Sequence, residues 1–315
     1  MSKNPIVSVV MPVYNAEQYV AEAVKSILAQ TFVDFEFIII DDGSTDASLK
    51  IIETLAAKDE RIRLTSRENK GVIRTRNDLL GKAKGEFIAV MDADDVALPK
   101  RFALQVEFLK NEPDVVCVGG AHEVIDEKGR LLTRLELPLH NDEIQRLALA
   151  GHCSVCNPSA MIRRASVIEV GGYDETLLSA VEDLDLWLKL GEVGKLANLK
   201  DMVLKYRLHT NSISARQGML QRRESQKACE RAWQRRGIDE GRFEATEPWR
   251  PGPDRSSRHK FMLQYGWWAF QSGQRQTAAI YGTRAIAALP FAAEGWKLLV
   301  CAAIKPLPDR DSKQL

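Results

Sequence analysis

The stretch that decides the fold is Phe87-Ile88-Ala89-Val90-Met91-Asp92-Ala93-Asp94-Asp95. Its five leading apolar residues form a run too short for a core helix, and they predict a strand buried on both faces. The run then breaks into three carboxylates within four residues. Carboxylates this close repel one another, and burying them unpaired would cost several kcal/mol.

These carboxylates have two interpretations. Sites made of one or two carboxylates, completed by water and phosphate oxygens, suit Mg²⁺ or Mn²⁺, which predicts a divalent cation at the end of this strand. Alternatively, the acidic turn only caps the helix that can begin near Leu98-Pro99, because Asp is a favourable N-cap and Pro suits a first helical turn. Both interpretations stay open from these residues alone.

The composition is that of an ordinary globular protein. The chain has 315 residues, 45% hydrophobic and 28% charged, which allows one large domain or one domain with an appendage. Lys and Arg number 44 against 43 Asp and Glu, so no bulk attraction to nucleic acid is implied and no nucleic-acid partner is expected. The five cysteines are odd in number and scattered, which suits a reducing compartment.

The N-terminal sequence bears on location. Met1–Pro5 runs directly into an apolar strand and lacks the apolar core of a signal peptide. No apolar run approaches the roughly 20 residues needed to span a bilayer. We therefore expect a cytoplasmic protein that is soluble or attached peripherally to the inner face of the cell membrane.

Strands and helices alternate through the first part of the chain. Apolar runs predict strands over 6–11, 35–40, 61–65 and 86–91. Helical spacing of apolar residues predicts helices over 16–30, 46–57, 72–83 and 99–111. This alternation favours a mainly parallel sheet with helices on both faces. Beyond it we expect a strand at 115–118, a hairpin turning at 126–129 and a helix over 141–150.

Polar residues cluster at the carboxyl ends of three strands, where ligands bind in parallel sheets. The clusters are Pro12–Asn15, Asp41–Asp46 and Asp92–Asp95. The dinucleotide fingerprint and the P-loop are both absent, so a nucleotide would be held differently, with Tyr14 stacking on a base and a metal on Asp94 taking the phosphates. The alternative is that these polar residues only form turns and bind no ligand. That explanation has to be invoked separately for each of the three clusters.

Three later features have open interpretations. Cys153-Ser-Val-Cys156 has no second cysteine pair and no histidine at zinc spacing, which favours two small half-buried residues over zinc or redox chemistry. Glu182 and Asp183 open a helix, where they either complement its dipole or place a general base at the rim of a crevice. His209 precedes a polar loop and is either a ligand or simply exposed.

The segment 216–315 differs from the preceding part of the chain in composition and predicted secondary structure. Residues 216–236 are rich in arginine, Glu247–Pro253 is a proline-rich break, and 259–304 predicts two or three helices. We interpret 1–215 as one domain and 216–315 as an α-helical extension. Its arginines and its Trp- and Leu-rich stretches predict contact with an anionic membrane surface or, equally, packing on the first domain or on a second subunit.

Taken together, these motifs resemble the inverting, nucleotide-sugar-dependent glycosyltransferases of family 2, whose fold is the Rossmann-like α/β fold called GT-A. The resemblance spans about residues 5–214, and order and spacing agree throughout. Its motifs are Val9–Asn15, Gln30–Phe32, Asp41–Asp46, Asn69–Asn77, Gly85–Ile88, Asp92–Asp95, Gly171–Glu175, Glu182-Asp183 and Tyr206–His209. One departure is Thr75, where the family usually has alanine, and we expect it to have no consequence.

The resemblance implies nucleotide-binding, metal-binding and catalytic roles. For the nucleotide it implies a base-binding loop of Pro12, Val13, Tyr14 and Asn15, pairing of the base with Asp42, and Arg76 and Asp92 beside the nucleotide and ribose. For the metal, Mn²⁺ or Mg²⁺ on the diphosphate, it implies Asp94, with His209 as a further contact. For catalysis it implies Asp183 as the base.

The activity implied is metal-dependent transfer of a sugar from a nucleotide sugar to a hydroxyl of a glycan or glycolipid, in cell-surface polysaccharide synthesis. UDP is favoured because Asp42 and Tyr14 suit uracil. Such a transfer needs one base, worth roughly 10²–10⁴-fold in rate, and a metal on the leaving diphosphate. The alternatives are a polyprenyl-phosphate glycosyltransferase, a nucleotidyltransferase, whose Lys-bearing phosphate loop is missing, and an inactive nucleotide-sugar-binding scaffold.

Overall fold

The computed structural model describes residues 4–177, 181–209, 218–245 and 254–307, with side chains from 222 onward in the third range. The predicted N-terminal strands and helices are confirmed to within a few residues. They are β1 (Val7–Val13), α1 (Val20–Leu28), β2 (Phe35–Asp41), α2 (Ser48–Ala56), β3 (Ile62–Ser66), α3 (Val72–Lys82) and β4 (Phe87–Val90).

The middle of the chain adds shorter and more varied elements. They are β5 (Val96–Ala97), α4 (Arg101–Asn111), β6 (Val115–Asp126), β7 (Leu131–Leu135), α5 (Asn141–Leu149), β8 (Met161–Arg163), α6 (Arg164–Glu169), α7 (Glu182–Val193) and β9 (Lys195–Leu208). The predicted hairpin turn lies between β6 and β7, where the Gly129 N–H donates to the Asp126 carbonyl at 2.9 Å.

Four helices follow in the last part of the chain that is described. They are α8 (Gly218–Arg236), α9 (Arg255–Gln271), α10 (Arg275–Ala288) and α11 (Ala293–Ile304). The last three correspond to the two or three helices expected over 259–304. The proline-rich break at 247–253 and the end of the family resemblance at 210–214 lie outside the described residues.

The strands of the described residues form one mixed sheet in the order β3-β2-β1-β4-β8-β6-β9-β5, with β7 paired to β6. The strands β3, β2, β1 and β4 are parallel. β8 then pairs antiparallel with both β4 and β6, and β5 pairs antiparallel with β9. The carboxyl ends of β1, β2 and β4 therefore lie at one edge, as the strand–helix alternation predicted.

Alternate residues of the central strands enter two different cores. Val9 and Met11 of β1 pack in a core that also receives α1, α2 and α4. Val10, between them, packs in the opposite core, which receives α3 and α7. Because both faces of these strands are covered, their sequences are continuous apolar runs rather than alternating ones.

The chain forms two compact units. The larger draws on Met1–His122, Glu136–Tyr206 and Met219–Thr246, and the smaller on Glu123–Leu135, Arg207–Gly218 and Glu247–Leu315. Within the larger unit, Ala228, Cys229 and Ala232 of α8 pack with apolar residues of α5 and α7. The division into a domain at 1–215 and a helical extension at 216–315 stays a prediction. None of the described helices has the length and apolarity that crossing a bilayer requires.

Candidate active site

Three elements of the larger unit meet beyond the carboxyl end of β4. Arg76 of α3 donates through Nη2 to Asp92 Oδ1 at 3.0 Å and through Nη1 to Glu182 Oε1. The second Glu182 oxygen accepts from the backbone N–H of Val181 at 3.0 Å. The fold thus brings Arg76 into contact with a carboxylate 106 positions away, at the first turn of α7.

The charges of this cluster act on one another in a buried setting. Burial opposes the charge of Arg76, but Asp92 and Glu182 outweigh it and raise the pKa of the guanidinium. Burial raises the pKa of Asp92, and Asp94 adds to that effect while Arg76 opposes it. Asp94 therefore lies close enough to Asp92 to interact electrostatically with it.

Asp183 follows Glu182 and is half-buried at the start of α7. Its Oδ1 accepts from the backbone N–H of Leu184 at 2.8 Å, and its Oδ2 accepts from the thiol of Cys153 at 3.4 Å. Burial and the neighbouring charge of Glu182 raise the pKa of Asp183 to about 6, although Arg76 opposes the shift. A carboxylate with a pKa near neutral pH suits a general base.

The carboxylates at the end of β4 were tested for their fit to a metal ion. In the residues that the structure describes, no three His, Cys, Asp or Glu side chains group as a closed metal site does. Asp92 and Asp94 offer two neighbouring carboxylates, and Mg²⁺ commonly binds to one or two carboxylates plus substrate phosphates. This donor set fits a cation that binds together with a diphosphate.

The loop after β1 is joined to the loop after β2. The Asn15 N–H donates to Ser44 Oγ at 3.0 Å, and Asn15 Oδ1 accepts from the Thr45 N–H at 2.8 Å. Asn15 has φ of 49°, a left-handed conformation that asparagine tolerates well. Pro12 and Val13 end β1, and the side chain of Tyr14 is 53% exposed.

Asp42 lies at the end of β2 with its carboxylate already engaged. It accepts from Arg67 Nε at 3.0 Å and from the backbone N–H groups of Lys70 and Gly71 at 3.1 and 2.9 Å. These contacts tie β2 to the start of α3. Pairing of Asp42 with a base stays a prediction, and it would share oxygens that these donors already occupy.

Arg67 extends the Asp42 contacts into a network. Its Nη1 donates to Asp78, and its Nη2 donates to Thr75 Oγ1 at 2.7 Å. The Thr75 hydroxyl is buried and in turn donates to the Gly71 carbonyl at 2.9 Å. Thr75, which we expected to be without consequence, therefore bridges Arg67 to the start of α3.

His209 follows β9 and belongs to the smaller unit, whereas Asp94 belongs to the larger. The contact of His209 with the metal or diphosphate therefore stays a prediction.

Sequence reasoning missed two contributors to this site. Cys153 was interpreted as a small structural residue, yet it is exposed and contacts Asp183. Arg101 of α4 is fully buried and donates through Nη2 to the carbonyls of Val90 and Ala160, at 2.8 and 3.2 Å, which holds the end of β4 in place. The Cys-x-x-Cys spacing drew attention to Cys153, but no local pattern indicated Arg101.

With this geometry in view, we compared the chain with known proteins. The model of the family described as glycosyl transferase family 2 matches residues 8–171. The chain belongs to this family. An uncharacterized glycosyltransferase of Haemophilus influenzae is 35% identical to it over 231 residues, 68% of this chain and 69% of that protein. The chondroitin synthase of Escherichia coli is 28% identical over 244 residues, 77% of this glycosyltransferase but 35% of the synthase.

Solved structures resemble this glycosyltransferase over nearly its whole length. S. aureus TarS 1–349 in complex with UDP-GlcNAc matches with a TM-score of 0.55 at 18% identity, covering 94% of this chain and 79% of that one. The mannosyltransferase PcManGT from Pyrobaculum calidifontis, in complex with GDP-Man and Mn²⁺, matches with a TM-score of 0.57 at 17% identity, covering 96% and 81%. At such identities the likeness shows the fold, and it confirms the predicted GT-A architecture with C-terminal helices.

Proposed function

We propose that this glycosyltransferase moves a sugar from a nucleotide sugar to a hydroxyl of a glycan or glycolipid with inversion, and that Asp183 is the catalytic base. The observation that carries the proposal is the Asp183 carboxylate, whose pKa is raised to about 6 beside the cluster of Arg76, Asp92 and Glu182. A scaffold that only bound nucleotides would have no need of such a group.

The environment of Asp183 suits proton abstraction. At pH 7 a carboxyl with a pKa of about 6 is ionised, yet it is a stronger base than an ordinary aspartate. Each of its oxygens accepts one hydrogen bond, from Leu184 or Cys153, so each keeps acceptor capacity for the incoming hydroxyl. As that hydroxyl oxygen attacks the anomeric carbon, its proton passes to Asp183 and the nucleoside diphosphate leaves.

Asp94, with Asp92 beside it, is the group that would hold Mn²⁺ or Mg²⁺. A divalent cation bound there would stabilise the negative charge on the leaving diphosphate. Arg76 fixes Asp92 through its 3.0 Å hydrogen bond, so this chain orients the nucleotide side of the site through a buried arginine. The similarity of fold to a mannosyltransferase in complex with GDP-Man and Mn²⁺ supports this assignment.

The nucleotide is proposed to lie across the carboxyl ends of β1 and β2, with UDP as the preferred nucleotide. The exposed ring of Tyr14 is available for stacking on a base, and the Asn15 contacts hold the loop in one conformation. TarS, of similar fold, binds UDP-GlcNAc, whereas PcManGT binds GDP-Man. Both nucleotides therefore belong in any donor screen.

A role in cell-surface polysaccharide synthesis is supported by the similarity to chondroitin synthase. Peripheral membrane attachment through α11 is supported by its exposed apolar face of Trp296, Val300 and Ile304, at 52, 54 and 78% exposure. Leu298, which belongs to the Leu-rich stretch predicted to contact the membrane, is instead buried. Residues 254–307 carry seven Lys and Arg against two Asp and Glu, which complements an anionic lipid surface.

Vesicle sedimentation tests the membrane proposal. The double variant Trp296→Ser/Ile304→Ser should lose binding to anionic vesicles, while Val33→Ser, which alters a residue 69% exposed in the larger unit, should not. Equal binding of all three proteins would overturn the proposal. A shift from dimer to monomer in the double variant, with no vesicle binding by the wild type, would assign the same face to a dimer instead.

The catalytic proposal is tested by a screen of nucleotide sugars with Mn²⁺, followed by two substitutions. Asp183→Asn should abolish transfer while leaving donor affinity nearly unchanged. Asp94→Ala should weaken donor binding in Mn²⁺ but not in EDTA. Substantial turnover by Asp183→Asn would exclude Asp183 as the base, and an equal loss of affinity in EDTA would remove the metal from the proposal.

A further inference from the structure

We propose that Cys153 is a positioning residue for the base, and that its thiol holds the ionised carboxylate of Asp183 and releases it when that group takes up a proton. The inference rests on the proposed role of Asp183. It also gives a role to the first cysteine of the Cys-x-x-Cys motif.

The geometry gives the thiol two alternative acceptors. Cys153 Sγ lies 3.4 Å from Asp183 Oδ2 and 3.3 Å from the carbonyl oxygen of Val155. A thiol carries a single hydrogen, so it donates to one of these oxygens at a time. Both acceptors lie at the same distance within 0.1 Å, and a rotation of the S–H bond is sufficient to exchange them.

The two positions of the hydrogen match the two states of the base. When Asp183 is ionised it is an acceptor, and its negative charge attracts the thiol hydrogen. Once the acceptor's hydroxyl proton has passed to Asp183, that charge is gone and the thiol turns to the Val155 carbonyl. The thiol keeps its own proton throughout, while the new glycosidic bond forms and the bond to the diphosphate breaks.

The thiol remains protonated because its surroundings oppose a thiolate. Although Cys153 is exposed as a residue, desolvation of its sulfur by the surrounding protein and the charge of Asp183 raise the pKa of the thiol well above its ordinary value. The other groups that act on Asp183 are Glu182 and Arg76. Burial raises the pKa values of Cys156 and Tyr173 as well, and the charge of Asp183 contributes to both increases. Cys153 is therefore the neutral donor beside the base.

The first test is the pH dependence of transfer. Cys153→Ala removes a donor to the ionised form of Asp183, so the acidic limb of kcat/KM should move upward by about half a pH unit. Cys153→Ser supplies a stronger donor and should move that limb downward. Cys301→Ser, at a half-buried position of α11 in the smaller unit, is the matched control and should leave the profile unchanged.

The second test measures how Asp183 affects the reactivity of the Cys153 thiol, and it requires no turnover. Asp183→Asn removes the negative charge beside the thiol, so carboxamidomethylation of Cys153 by iodoacetamide at pH 8, followed by mass spectrometry, should accelerate several-fold. Asp78→Asn, which removes a carboxylate elsewhere in the larger unit, should not change that rate.

The outcomes separate this inference from the proposed function. Wild-type pH profiles in folded Cys153→Ala and Cys153→Ser, or an unchanged alkylation rate in Asp183→Asn, would overturn the positioning role while leaving Asp183 as the base. Wild-type transfer by Asp183→Asn would instead overturn the proposed function. If Cys153→Ala does not fold, Cys153→Ser and the alkylation rates decide the matter.

Discussion

Two arginines organise the carboxylates of the larger unit in different ways, and the first of these clusters surrounds Arg76. Asp92 and Glu182 share this buried guanidinium. The charge of Asp183 also helps to raise the pKa of Arg76, and the charge of Asp94 helps to raise the pKa of Asp92. Among the described residues, four carboxylates surround this one guanidinium, and the arginine hydrogen-bonds to Asp92 and Glu182.

The second cluster surrounds Arg67 and has fewer carboxylates. Arg67 binds Asp42 and Asp78, and two backbone N–H groups at the start of α3 complete the contacts of Asp42. The Thr75 hydroxyl accepts from the same arginine. Both carboxylates of this cluster therefore accept a hydrogen bond from the same cation.

The two clusters differ in which carboxyl can accept a proton near neutral pH. In the Arg76 cluster, burial and a neighbouring carboxylate raise the pKa of Asp183 to about 6. In the Arg67 cluster, the hydrogen bond from Arg67 lowers the pKa of Asp78. A buried carboxylate beside a second carboxylate therefore provides a base, whereas a carboxylate bonded to an arginine helps to fix a loop.

The largest expected difference is in stability after loss of each arginine. Arg76→Met leaves the buried Glu182 and the half-buried Asp92 without their cation, and the free energy of unfolding should fall by about 3–5 kcal/mol. Arg67→Met leaves partners that retain backbone donors or solvent, and should cost about 1–2 kcal/mol. Urea denaturation of both variants measures the two losses, and equal losses would remove the contrast between the clusters.

The pH dependence of transfer provides the next comparison. Because the pKa of Asp183 is about 6, this carboxyl is half ionised at pH 6, and the rate should fall about fiftyfold between pH 6 and pH 4. Asp78, with its lowered pKa, remains ionised over most of this window. Circular dichroism across the same range is the control, and a flat rate profile in folded protein would contradict the assignment of Asp183.

Removing one carboxylate from each cluster should change stability in opposite directions. The folded pKa of Asp183 is about 6 against an ordinary 3.8, so the folded state binds more protons in that window and stability falls as pH rises through it. Asp183→Asn should therefore raise the unfolding free energy at pH 7 by about 1–3 kcal/mol.

For Asp78 the sign reverses. Its folded pKa lies below 3.8, so the stability it contributes is present at neutral pH and is lost as pH falls below that value. Asp78→Asn should destabilise the protein at pH 7, by under about 1 kcal/mol because this side chain is 39% exposed. Thermal melts at pH 7 compare the two variants, and the same sign for both would show that the clusters do not differ.

The smallest expected effect belongs to Thr75. Thr75→Ala removes a buried hydroxyl that bridges Arg67 and the Gly71 carbonyl, and it should cost about 1 kcal/mol of stability. Thr75→Ser retains the hydroxyl and should cost less. If the alanine variant is as stable as the wild type, the bridge contributes nothing and our original expectation for this position stands.

Much of the fold was predictable because the signals are local. The apolar runs of β1, β2 and β4 are continuous, since both faces of each strand are buried, and each breaks at a polar turn. Strand–helix alternation then places those turns at one edge of the sheet. The motifs around Asp42, Asp94 and Asp183 are sufficient to indicate the glycosyltransferase family from the sequence alone.

The contacts within the site depend on the tertiary structure. Arg76 reaches Glu182 across 106 positions, and Cys153 reaches Asp183 across 30. Neither separation corresponds to a helical or strand repeat, so sequence spacing carries no information about these pairs. The pKa of Asp183 depends on burial and on neighbours from other elements. Sequence alone thus determined which groups are available, while packing of the sheet and helices decided which carboxylate is paired and which can take a proton.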